Sequence, residues 1–262
     1  MDTSLIDKKA FVCGSTQGIG RSIAEELSLL GASITLIARN EEKLKDVVLA
    51  LTKENGQSHN YIVADFSNPN MLNDALSKHL GEFSSPDILI NNTGGPGAGQ
   101  AIDAGPDEFT KAFSNHLICN QLLAKAVVPG MRSNGYGRII NVISTSVKEP
   151  IVGLGVSNTI RGAVASWAKT LANELGSFGI TVNNVLPGFT NTDRLSSLLK
   201  NKAKKSGKTF DEINDQSKGI IPAGRFADPE EIAWAVAFLA SPAAAYINGI
   251  NLPVDGGRLN CL

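Results

Sequence analysis

The polar residues best placed to do chemistry lie between Ser144 and Arg161, directly after the apolar stretch Arg138-Ile139-Ile140-Asn141-Val142-Ile143. That stretch reads as a strand, and an Ala-rich helix opens within the run. Ser144, Ser157 and Arg161 are spaced to converge where the strand ends and the helix begins. Ser157 and Arg161 stand four apart, so on a helix they share one face. An alkyl hydroxyl is a weak acid. Arg161 offers positive charge but no proton, because a guanidinium loses its proton only above pH of about 12.

The elements that must position these groups alternate between strand and helix along the chain. Lys8–Cys13 is a short apolar strand, followed at once by Gly14-Ser15-Thr16-Gln17-Gly18-Ile19-Gly20 and by a helical period through Ile23, Ala24, Leu27 and Leu30. Strand, glycine loop and helix are the context of a phosphate-binding turn, in which glycines admit the pyrophosphate and the helix N-terminus faces its charge. The spacing Gly-x-x-x-Gly-x-Gly differs from the commoner Gly-x-Gly-x-x-Gly, and a plain tight turn is the alternative. A second strand, Ser33–Ala38, ends in Arg39. A basic residue there suits a 2′-phosphate, an acidic one the 2′-hydroxyl, so Arg39 favours NADP(H) over NAD(H). A helix over 41–53 and a strand over 61–64 lead to Asp65, which either accepts the adenine amino group or caps the next helix with Ser67. A helix over 69–80 and a strand over 86–90 end in Asn91-Asn92-Thr93-Gly94-Gly95, small and amide residues that suit a crevice at the strand ends. Pro106 to Met131 reads as one long helical region, with Pro129 marking its end.

The second half continues with a helix to about Phe178 and a strand over 180–185 that runs into Pro187-Gly188. Residues 190–225 turn polar and lysine-rich, which fits a small helical lid. Asp228-Pro229-Glu230-Glu231 is a strong helix start, and Asn248–Leu252 is a last strand closed by Asp255-Gly256-Gly257. Alternation without a linker implies one doubly wound α/β sheet spanning residues 1–262 as a single domain. With 42% hydrophobic residues in 262, the chain can bury a sizeable core. A net charge of −1 gives no reason to expect nucleic acid or an anionic membrane as partner. No apolar run reaches the roughly 18 residues of a membrane span. The acidic N-terminal stretch is unlike a secretory signal, and no metal-ligand spacing is present. Cys13, Cys119 and Cys261 read as reduced thiols of a cytoplasmic protein.

Together, Gly14-x-x-x-Gly18-x-Gly20, Asn91-Asn92-Thr93-Gly94, Pro187-Gly188 with Thr192, and Asp255-Gly256-Gly257 resemble the short-chain dehydrogenase/reductase family along almost the whole chain. The resemblance implies a seven-stranded parallel Rossmann-type sheet flanked by helices, and assembly as a homotetramer or homodimer. It implies that Gly14, Ser15, Gln17, Gly18, Ile19 and Gly20 hold pyrophosphate and ribose, and that Arg39 meets the 2′-phosphate. It places Asp65 and Phe66 at the adenine, Asn91, Thr93, Gly94 and Arg161 near the ribose, and Pro187, Gly188 and Thr192 at the carboxamide. The family's catalytic Asn, Ser, Tyr and Lys fall on His116, Ser144, Ser157 and Arg161, so one of the four is retained. His116 keeps the backbone carbonyl of the family asparagine. Its ordinary pKa of about 6.5 suits proton transfer, while a helix histidine satisfied by a neighbour is the alternative.

Ser157 to Arg161 also resembles a recurring 3-oxoacyl-carrier-protein reductase-like variant. Three classes of function follow as expectations. The first is an NADP(H)-dependent oxidoreductase interconverting a carbonyl and an alcohol, with a 3-oxoacyl thioester among the candidate substrates. The second is a cofactor-binding pseudoenzyme or regulatory subunit. The third is a lyase or isomerase on the same scaffold.

Overall fold

The computed structural model describes residues 1–261. Its strands are β1 (Lys9–Cys13), β2 (Ser33–Ala38), β3 (Asn60–Val63), β4 (Ile88–Asn91), β5 (Gly137–Val142), β6 (Ile180–Pro187) and β7 (Asn251–Val254). They form one sheet in the order β3-β2-β1-β4-β5-β6-β7, every pair parallel. This is the doubly wound α/β architecture expected. The order reverses between β1 and β4, and the crevice outside the carboxyl ends of the strands is where such sheets take ligands.

The helices are α1 (Gly18–Leu29), α2 (Glu41–Ala50), α3 (Pro69–Glu82), α4 (Pro106–Phe113), α5 (Cys119–Asn134), α6 (Gly155–Leu175), α7 (Asp193–Ser206), α8 (Phe210–Gly219) and α9 (Pro229–Ala240). Strand residues alternate between two cores, as the two-residue period of a strand requires. Ala10, Val12, Ile34, Leu36 and Ile90 pack beneath α1, α2 and α9. Phe11, Cys13, Ile37, Leu89 and Ile139 pack beneath α3, α5 and α6. Helices α7 and α8 have a small core of their own, built from Leu195, Leu199, Ile213, Ile221 and Phe226.

Several element ends and one cap differ from those read in the sequence; among them, β7 begins at Asn251 rather than Asn248. Helix α2 stops at Ala50 rather than Lys53. Pro129 lies inside α5, which continues to Asn134 and ends at left-handed Gly135. The proline is on the exposed side, while Val127 and Met131 are buried, so core packing carries the helix past the missing donor. Asp65 does not cap α3. Asn68 does, accepting from Met71 N–H at 3.1 Å, while Asp65 closes a turn by accepting from Ser67 N–H at 2.9 Å.

A row of asparagines crosses the sheet. Asn91, Asn141, Asn184 and Asn251 hold matching registers on β4, β5, β6 and β7. Asn91 Nδ2 donates to Asn141 Oδ1 at 2.8 Å, Asn141 Nδ2 to Asn184 Oδ1 at 2.9 Å, and Asn184 Nδ2 to Asn251 Oδ1 at 2.8 Å. Asn141 is fully buried and serves two of these bonds. Replacing it by Ala leaves one donor and one acceptor buried without partners, at about 1–3 kcal/mol each. Urea denaturation of Asn141→Ala is therefore expected to show a loss of about 3 kcal/mol. Asn251→Ala, at the half-buried end of the row, should lose about 1 kcal/mol. Equal losses at the two positions would mean that the row does not act through its buried amides.

Candidate active site

A cavity of about 940 Å³ opens along the carboxyl ends of the strands. Its floor is the turn between β1 and α1. Gly14 there has φ +60°, and a Cβ on it would lie 2.6 Å from the Asn92 carbonyl oxygen. A Cβ on Gly20 would collide with the Gly14 carbonyl. Asn92 pins the turn from β4 by donating to the carbonyls of Cys13 and Gly14, at 3.2 and 3.3 Å. Glycine is required at both places because another backbone passes through the space a side chain would fill.

Helix α1 starts without a side-chain cap and has no acidic residue in its first turn. In contrast, α2, α3 and α7 are capped by Asn40, Asn68 and Thr192. Its first intrahelical bond is Arg21 N–H to Gln17 O at 3.4 Å, so the N–H groups of Gly18, Ile19 and Gly20 precede the ladder. They form an anion cradle facing the cavity. Arg39 and Lys43 line the cavity beside Asn40, at the turn from β2 into α2. Asp65 and Phe66 line it from the end of β3, and Thr93 and Gly94 from the end of β4. The Asp65 carboxyl is held below its usual range, chiefly by the Ser67 N–H bond.

The polar groups that opened the sequence reading meet here. Ser144 lies two residues past β5, and its Oγ accepts from Ser146 N–H at 3.1 Å, which leaves its O–H free to donate into the cavity. Ser157 and Arg161, one turn apart on α6, also line it. Arg161 is buried and ties the strand ends together, donating to Val142 O at 3.0 Å and Thr93 O at 3.2 Å. Its Nε is buried without a partner. Burial, with Arg194 nearby, lowers its pKa to about 10, so it stays cationic at neutral pH. Pro187, Gly188 and Thr192 line the far wall, where Thr192 Oγ accepts from Leu195 N–H at 3.3 Å as the cap of α7.

Three expected site residues are not in the lining. Ser15 is fully buried beneath the turn, with Oγ unpartnered, so only its backbone can serve a ligand. Asn91 is drawn into the sheet by Asn141, and its neighbour Asn92 lines the cavity instead. His116 is 3% exposed, in a wide π-type turn over Ser114–Ile118 between α4 and α5. Burial, and then the charge of Arg161, push its pKa down to about 3. An imidazole so placed is neutral at pH 7 and cannot act as a general acid.

The sequence reading also missed lining residues. Lys43 follows Arg39 by four positions, a spacing that could have flagged it. Lys111, Arg194 and Arg258 also line the cavity. Only the position of Arg194, just after Thr192 and Asp193, hinted at its place.

An open parallel sheet, an uncapped glycine turn at its switch point, cations at the second strand and hydroxyls at the fifth are the setting in which doubly wound sheets take dinucleotides. A model of a protein family described as Enoyl-(Acyl carrier protein) reductase matches residues 14–258. The 3-oxoacyl-(acyl-carrier-protein) reductase FabG of Vibrio cholerae is 35% identical over 254 residues, covering 97% of this chain and 98% of that protein. The crystal structure of L-sorbose reductase from Gluconobacter frateurii, complexed with NADPH and L-sorbose, superposes with a TM-score of 0.93. It is 31% identical, and the match covers 100% of both chains. YwfH, described as an NADPH-dependent reductase involved in bacilysin biosynthesis, superposes with a TM-score of 0.92 at 29% identity, covering 97% of this chain and 99% of that one. The chain belongs to the short-chain dehydrogenase/reductase family and is an oxidoreductase.

The depressed pKa of His116 has a consequence for stability. The unfolded chain takes up this proton near pH 6.5, whereas the folded chain resists it down to about pH 3. Stability from this residue is complete above pH 6.5 and falls as pH drops toward 3, by up to about 1.4 kcal/mol per pH unit. Nitrogen-detected NMR should show the His116 ring neutral at pH 5; a ring titrating near pH 6.5 would contradict this placement.

Proposed function

We propose that the protein is an NADP(H)-dependent reductase interconverting a carbonyl and an alcohol, with 3-oxoacyl thioesters among its substrates. One observation carries this reading: Ser144, Ser157 and Arg161 line the same cavity as the uncapped N-terminus of α1. The residues present fit the cofactor. A Cβ at Gly14 or Gly20 would meet backbone, and the free N–H groups of α1 suit a pyrophosphate. Arg39 and Lys43 would hold the 2′-phosphate, and Asp65 would face the adenine. When bound, NADPH supplies the hydride.

The chain's own residues then supply orientation and charge. Ser144 donates its hydroxyl hydrogen to the substrate carbonyl, polarised by the N–H it accepts from Ser146. Arg161 keeps a positive charge beside the developing alkoxide. Because His116 is neutral and outside the lining, the proton passes through Ser157 or a water held by it. Helices α7 and α8, within residues 190–225, form the substrate lid, and their lysines are a solvated face open to an acidic carrier. Residues 1–262 are read as one catalytic domain. We place it in the cytoplasm, where its three free cysteines stay reduced. Exposed Trp234 on α9 and Ile118 before α5 support a homotetramer or homodimer.

A second reading is a cofactor-binding pseudoenzyme. It is favoured by the guanidinium of Arg161 being committed to two carbonyls at the strand ends, with a serine where the family has its acid. Loss of NADPH absorbance on a carbonyl panel that includes acetoacetyl thioesters separates the two. Turnover is expected. Tight NADPH binding without turnover would favour the pseudoenzyme, and Ser157→Tyr with Arg161→Lys should then create reductase activity.

Arg39 has its own test. Arg39→Ala is expected to weaken NADPH by about ten- to a hundredfold, the value of one charge-assisted hydrogen bond, with NADH little changed. Equal loss for both cofactors would remove the 2′-phosphate assignment.

A further inference from the structure

The charged groups of the cavity fall into two sets. Arg39, Lys43 and Lys111 stand with Asp65 toward β2 and β3, where the proposed function already assigns a phosphate. Arg161, Arg194 and Arg258 stand toward Ser144, and the proposed mechanism uses only the first. A single carbon added at Gly95 would lie 3.6 Å from both Arg161 Nη2 and Arg194 Nη2, so these two guanidiniums are neighbours. Arg194 is one of the causes of the lowered pKa of Arg161. Arg258 reaches the same end from the C-terminal segment, donating to Thr145 Oγ at 3.0 Å beside Ser144 and lying over the Phe189 ring.

The ion pairs among the described residues are Arg21–Glu25, Lys45–Glu41 and Arg225–Glu231, so none of these three arginines pairs with a carboxylate of the described residues. Asp193 is the one acidic residue in this part of the lining, and it is exposed at the first turn of α7. Like charges held together cost free energy that an entering anion recovers. Both outer arginines are also pre-oriented. Arg194 donates to Pro96 O at 2.7 Å and Arg258 to Thr145, which leaves most of their five N–H donors free. A fixed guanidinium with free donors matches a carboxylate better than any neutral group. The surrounding wall is apolar, from Ile151, Leu154, Leu195 and Leu198.

We propose that the substrates include an oxo acid, whose free carboxylate (absent from a thioester) is held by Arg194 and Arg258 while its carbonyl meets Ser144. This deepens the reductase reading and rests on it, but its test does not need turnover. Protein saturated with NADP+ is titrated calorimetrically with acetoacetate and with levulinate, each against its methyl ester. The acids should bind at least about tenfold more tightly than the esters, and the preference should shrink as salt is raised. Arg194→Gln or Arg258→Gln should abolish the preference, Arg258→Lys should keep part of it, and NADPH affinity should stay within about twofold. Esters binding as well as acids, or no acid binding at all, would overturn the proposal. So would variants that weaken NADPH and keep the preference, because the arginines would then serve the cofactor's pyrophosphate. A protein that binds the acids selectively but turns over no carbonyl would leave this site standing and remove the reductase reading instead.

Discussion

Four asparagine side chains in a row set the level at which this sheet presents its chemistry. Amides buried between parallel strands must pair with one another, and Asn91, Asn141, Asn184 and Asn251 do so only in the observed register. A slip of one residue would turn each amide to the opposite face and strand it among Ile, Leu and Val. Apolar contacts tolerate small shifts far better than this, so the row contributes specificity more than bulk stability. Its consequence lies just beyond it. Asn92, one residue past Asn91, clamps Gly14, and Val142, one past Asn141, receives Arg161. Pro187 and Gly188 follow Asn184 by three and four positions. The level of the glycine turn and of the Arg161 side of the cavity is thereby tied to a row of amides that does not itself line the cavity.

Arg161 is the second constraint. A buried guanidinium is costly to desolvate unless its donors are used, and two of them are spent on the carbonyls of Val142 and Thr93. Those carbonyls belong to the ends of β5 and β4, between which the cavity opens. The arginine thus works as a brace first and as a charge second. A lysine, with one flexible ammonium, could not hold both carbonyls in one plane. The brace also accounts for His116, since a cation beside a buried imidazole opposes its protonation in addition to burial.

Much of this was legible in the sequence, because much of it is local. The β1 turn, the Arg39 strand end and the α9 start each lie within a dozen residues, where periodicity, glycine spacing and capping chemistry act directly. The asparagine row was not legible. Its partners are 50, 43 and 67 residues apart, and each read singly is only a polar residue near a strand end. The same holds for Arg194 and Arg258, which meet the Ser144 end from separate segments. His116 misled for a related reason. A reference pKa describes a solvated side chain, and burial is a property of the fold.

On the proposed reading, Ser157 stands where the family has a phenol. A phenol of pKa about 10 can hand over a proton as hydride arrives; an alkyl hydroxyl cannot do so alone. Neither His116 nor Arg161 makes up the difference, one being neutral and outside the lining, the other buried with its donors committed to the carbonyls of Val142 and Thr93. What the cavity has in excess is positive charge. Cations in a site partly shielded from water stabilise an alkoxide strongly without donating to it, so that hydride can arrive before any proton is transferred. On the proposed reading, Ser144 orients the carbonyl, the arginines supply the field, and the proton arrives late through Ser157 or a water beside it. Such a site exchanges acid strength for electrostatics, and an anionic substrate gives it a reason to hold the charge in place before the reaction begins.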